Sequence, residues 1–178
     1  MGEIKSTLDL VMEKTKNLNL SDKEKQDQKN KEIESRLRGL VQKYQGKVIS
    51  LEQFKAEYQA LRKDYNTAGT QNELLLKLLC NRIELGQDNQ ALLGLLSQFA
   101  DSGTGGIVSV LQDFDLDIQT AAGAQSKIAK DNLANKHFIS GSAVVPNLES
   151  DPVWRTKIAE IRADFDAKLN QEKTNLLA

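Results

Sequence analysis

The first proline in this chain is Pro146, and the only other one, Pro152, follows closely. Proline lacks the amide hydrogen that a helix ladder needs, and its ring clashes with the preceding turn. A sequence that avoids it for so long leaves its helices free to run. Between the breaks, apolar residues recur at three- and four-residue spacing. The expected fold class is therefore all-α: a helical bundle whose one irregular stretch, His137–Pro152, holds both prolines and the only histidine.

The segment boundaries follow from capping chemistry. Ile4, Leu8, Val11, Thr15 and Leu18 predict an amphipathic helix over 2–17. Ser21 and Glu24 form a capping box, in which the hydroxyl and the carboxylate satisfy orphan amides at the helix start. The next helix runs to Gln45, with Gly46 as its left-handed stop. Its apolar residues begin only at Ile33, so its first turns should stand in solvent. Ser50 and Gln53 make a second capping box. Leu51, Phe54, Tyr58, Leu61 and Tyr65 then follow in the best coiled-coil seam of the chain. These two helices should form an antiparallel hairpin, an arm over 21–66.

Asn66–Gly69 breaks the chain. The central apolar helices of 70–136 follow, over about 70–85, from Asp88 as a cap, and from about 107 to 136. Gly86 ends the first of them. An extended strap over 137–151 is expected to bury Val144 and Val145, because Phe138, Ile139, Val144, Val145 and Leu148 are too apolar for a disordered linker. Asp151 should cap the C-terminal amphipathic helix, 152–176, with Pro152 at its first position. The whole chain, 1–178, is expected to be one domain.

Charge is unevenly placed although the net charge is only −1. Ser21–Lys47 is rich in Lys and Arg. From Ile83 to Ser126 there is no Lys or Arg, while Glu84, Asp88, Asp101, Asp113, Asp115 and Asp117 fall there. Without a net basic domain, nucleic acid is not the expected partner. The single Cys excludes an internal disulfide. The N-terminus lacks the apolar run of a signal peptide, and no apolar stretch is long enough to span a bilayer, so the expected location is cytoplasmic. Asn19-Leu20-Ser21 and the Gly2–Ser6 start match glycosylation and myristoylation patterns only loosely.

Motifs that would carry chemistry fail on inspection. His137 with Ser140 or Ser142 lacks an orienting third group and an oxyanion turn. Asp113, Asp115 and Asp117 begin like a calcium loop, but Ile118 and Ala124 stand where it needs Gly and Glu. On a helix, Asp113 and Asp117 share a face and Asp115 points away. Gly103-Thr-Gly-Gly106 lacks the Lys of a phosphate loop, though a helix start there has amides for an anion. Leu75–Leu79 and Leu92–Leu96 match a short docking pattern, and read as core. One His and one Cys80 do not make a zinc site. No cofactor and no enzymatic activity is expected.

The opening MGEIKSTLDLVMEKTKNL, taken with ISGSAVVPNL, resembles bacterial proteins of unknown function. That resemblance carries no mechanistic motif and implies no activity.

The expected function is that of a non-catalytic, self-assembling or scaffold helical protein. Its partner is itself, as a homo-oligomer, or another helical protein, and the interaction residues are Leu51, Phe54, Tyr58, Leu61 and Tyr65. An alternative is a membrane-associating hairpin over 89–112, where Asp101 is the only charge between Asn89 and Gln112. A third is a divalent-metal or small-ligand binder using carboxylates.

Overall fold

The computed structural model describes residues 22–65, 68–100 and 103–177. Over these residues it is all-α, with no strand: α1 (Asp22–Gln45), α2 (Leu51–Tyr65), α3 (Ala68–Arg82), α4 (Gln90–Phe99), α5 (Gly105–His137) and α6 (Pro152–Leu177), with a 3₁₀ turn at Leu148–Ser150. The helix expected over 2–17, the Ser21 cap and the first half of the break expected at Asn66–Gly69 lie outside the described residues. The second half of that break, Ala68 and Gly69, is instead the start of α3. Where one domain is expected, the chain divides into two compact units at Gln71, the foot of the arm expected over 21–66.

The first unit contains the α1–α2 hairpin. Its capping box forms as the sequence predicts: the Gln53 amide donates to Ser50 Oγ at 3.2 Å, and the Ser50 amide donates to Gln53 Oε1 at 2.9 Å. Apolar residues of α1 begin to be buried at Ile33 and continue through Leu37, Leu40 and Val41. The described side chains before Ile33 are almost all exposed, as their polarity requires. The left-handed residue that ends α1 is Lys47, with φ of 56°, and not Gly46. The Lys47 amide donates to the Tyr44 carbonyl and the Val48 amide to the Lys43 carbonyl, each at 2.9 Å. This pair of bonds is a Schellman motif, which places the left-handed residue one position after the glycine.

In the second unit, α3 ends at Arg82, before the expected Leu85. The backbone beyond Arg82 finds other partners. Lys173 Nζ donates to the Ile83 carbonyl at 2.7 Å. The Asn89 side chain donates to the Glu84 carbonyl at 2.8 Å and accepts from the Glu84 amide at 3.3 Å. Gly86, with φ of 73°, supplies the turn between them. Asp88 accepts from the Gln90 amide at 3.0 Å, although the residue at the cap position is Asn89.

Helices α5 and α6 form a long hairpin. Phe114 and Phe165 meet edge to face at 5.7 Å between them, an arrangement that aromatic quadrupoles favour. Trp154, Phe165 and Leu169 of α6 and Ile107, Phe114 and Ala121 of α5 are buried. At the loop end, Asp151 does two jobs. Its Oδ1 accepts from the Val153 amide at 2.9 Å, the expected cap, and its Oδ2 accepts from Gln125 Nε2 at 2.7 Å. At the open end, the Glu172 carboxylate fills the space where a side chain on Gly106 would stand.

The strap differs from expectation. Phe138 takes a left-handed conformation, φ of 55°, as the C-cap of α5, and its amide bonds back to the Leu133 carbonyl. This turns the chain outward. Phe138 is 91% exposed, Ile139 50% and Val145 85%, and Val144 is only half-buried. The foot of the strap, the 3₁₀ turn at Leu148–Ser150, packs on both α5 and α6. Of the strap's apolar side chains, Phe138, Ile139 and Val145 are exposed, while Val144 and Leu148 are half-buried and none is fully buried.

Candidate functional site

The five residues expected to form an intermolecular seam divide as follows. Phe54, Tyr58 and Leu61 are buried and Leu51 is half-buried, while the Tyr65 side chain lies outside the described residues. The Phe54 ring meets Tyr44 of α1 at 5.7 Å and Tyr58 at 6.4 Å. The seam therefore packs on α1 of the same chain. Burial also raises the Tyr58 hydroxyl above its ordinary pKa, against a smaller opposing pull from Arg62. On one side of this hairpin, Gly39 and Ala60 leave a shallow groove of about 380 Å³, bridged by the Lys43–Glu57 ion pair at 3.4 Å.

The residue types that could carry chemistry are scattered. His137 is the exposed last residue of α5, with Ser140 and Ser142 exposed beyond it. Cys80 is buried, and desolvation pushes its thiol pKa up. Asp113, Asp115 and Asp117 are exposed along α5. As helical geometry requires, Asp113 and Asp117 lie on the side that feels Lys168 of α6. Asp115 points the other way, beside α4. Among the described residues, no group of three or more His, Cys, Asp or Glu side chains is gathered for a metal. The start of α5, whose amides could hold an anion, has the Glu172 carboxylate beside Gly106.

The docking-pattern leucines Leu75, Leu78, Leu79, Leu92, Leu95 and Leu96 are all buried, and so is Ile107. Among the described residues, no helix is long and apolar enough to cross a membrane.

What the structure does present is the α5–α6 loop. Residues 138–148 carry no charge. Phe138, Ile139 and Val145 stand out from it, and Val153 at its foot is 62% exposed. The basic side chains Lys136, His137, Arg155 and Lys157 flank it and are exposed. Large apolar side chains are seldom displayed together without a use. At the other end of the same unit, Leu93, Val108 and Leu111 floor a depression of about 270 Å³, with Asp88 and Asp115 among the residues lining it. Sequence reasoning missed both. Apolar composition alone does not say which way a loop faces, and the depression joins residues from α4, α5 and the turn before α4.

No family model matches this chain, and neither a curated protein nor a solved structure was found to be similar to it.

Proposed function

We propose that this chain is a non-catalytic, self-assembling scaffold protein of the cytoplasm, working through surfaces that its helices present. The carrying observation is the uncharged loop at the α5–α6 turn. It holds Phe138 almost fully in solvent, in a left-handed conformation that side-chain-bearing residues rarely adopt. A rigid hairpin that displays an aromatic anchor with basic flanks has the features of a binding element. The coiled-coil seam of α2 then serves the hairpin itself, and association is carried by the loop. The test is light scattering of the full chain at micromolar concentration. A mass above the monomer's 19.8 kDa is expected, and a monomer at every concentration tried counts against the reading.

A further inference from the structure

We infer that the partner of the Phe138 loop is a second copy of this chain, which receives it in the depression between α4 and α5. The inference rests on the self-assembly reading above and adds its geometry. Three observations carry it.

The first is chemical fit. The loop offers one large ring, Phe138, with Lys136 and His137 directly before it. The depression offers a floor of half-buried Leu93, Val108 and Leu111, with the exposed carboxylates of Asp88 and Asp115 at its edge. Its volume of about 270 Å³ suits a single aromatic side chain. An apolar anchor entering a pocket, with charges at the rim, is the usual distribution of binding energy at protein contacts.

The second is charge polarity. From Ile83 to Ser126 the chain has no Lys or Arg, so the depression lies in a wholly acidic stretch of sequence. Around the loop, Lys127, Lys130, Lys136, Arg155 and Lys157 outnumber Asp131, Glu149 and Asp151. Three cations from α6 come near this end: Arg162 lies over the Phe114 ring beside Gly86, Lys173 reaches the Ile83 carbonyl, and Lys168 faces Asp113 and Asp117. None of them is part of the depression's lining, where Asp88 and Asp115 are the charged residues. Opposite charges at the two ends of one unit steer copies into a head-to-tail encounter.

The third is distance. Leu111 lies on α5 and Phe138 is the residue that caps its end, 27 positions on. At 1.5 Å per residue the two sites are separated by about 40 Å. A loop tied to the end of α5 does not reach its own depression, so a contact between the two is one between molecules. Such a contact is heterologous: each copy uses one surface to give and another to receive.

Two variants separate the surfaces. Phe138→Asp removes the anchor and leaves the depression intact. Asp115→Lys reverses the rim and leaves the loop intact. Both residues are exposed, and circular dichroism should show the natural helix content in each. Sedimentation is run from about 1 μM to about 1 mM, the range of modest protein contacts. The natural chain is expected to associate, and added salt should weaken it because the flanking charges are exposed. Each variant alone should associate at least tenfold more weakly. Mixed together, they should form a dimer of one copy each and go no further, since the mixture contains one working loop and one working depression. If Asp115→Lys alone still associates while Phe138→Asp does not, the loop meets some other surface and the inference falls. If neither variant changes the association, the contact lies elsewhere, and self-assembly stands without this geometry. A natural chain that stays monomeric throughout overturns both. Co-sedimentation of that monomer with anionic phospholipid vesicles, lost in Phe138→Asp, would make the loop a lipid anchor instead.

Discussion

Gln125 and Asp151 are joined by a 2.7 Å hydrogen bond across the α5–α6 hairpin, and the same Asp151 caps α6. Gln125 is buried, so removing its amide leaves a polar site without its partner. Gln125→Leu should lower stability by about 1 kcal/mol in a urea titration, and should speed proteolytic cutting between Ser140 and Asn147. An unchanged cutting rate would mean that the bond does not hold the loop's foot.

Asp151 also makes a pH prediction. The hydrogen bond from Gln125, more than those from the Val153 and Trp154 amides, holds its carboxyl below the ordinary 3.8. The unfolded chain therefore takes up this proton first as pH falls. The stabilisation is complete above about 3.8 and is lost as pH drops through the lower folded value. Asp151→Asn should reduce the acid slope of the melting temperature below pH 4 and leave its alkaline side unchanged.

Lys173 reaches from α6 to the Ile83 carbonyl just past the end of α3. It combines a charge-assisted hydrogen bond with a cation at a helix C-terminus. Lys173→Met keeps much of the stem and removes the donor. A loss of about 1 kcal/mol is expected by denaturant titration, with the far-ultraviolet spectrum retained.

In the first unit, Phe54 and Lys47 predict opposite signs. Phe54→Ala removes a buried ring that meets two others, and should cost about 3–5 kcal/mol. Lys47→Gly relieves a side-chain-bearing residue at positive φ, and should stabilise by about 1 kcal/mol. Thermal melts of the two variants check both, and a destabilising Lys47→Gly would show that the side chain itself holds the turn.

Features set by neighbours in sequence were legible. The Ser50–Gln53 box and the Asp151–Pro152 helix start each depend on residues within three positions. The burial of Leu92, Leu95 and Leu96 followed from a wholly apolar stretch. Features set by distant partners were not. The end of α3 depends on Lys173, ninety positions away, and on Asn89, which looks like any polar loop residue. The Gly46–Lys47 shift depends on which carbonyls the turn amides reach. Val144 and Val145 read as core because they are apolar, but burial needs a groove facing them. Val144 finds only partial cover, and Val145 is left exposed.

The α5–α6 hairpin is fastened at both ends. Gln125 and Asp151 hold the end next to the loop. At the other, the Glu172 carboxylate lies over the first turn of α5, where it complements the helix dipole, and Lys173 ties α6 to the end of α3. A hairpin joined only by its loop would fray from its free end. Here that end is closed as well, so local opening is expected at residues 138–147. Amide exchange there should be fast, while α5 and α6 exchange together, in a single slow event that requires the whole unit to unfold. On that expectation the loop opens alone, while the frame that carries it gives way only as a whole.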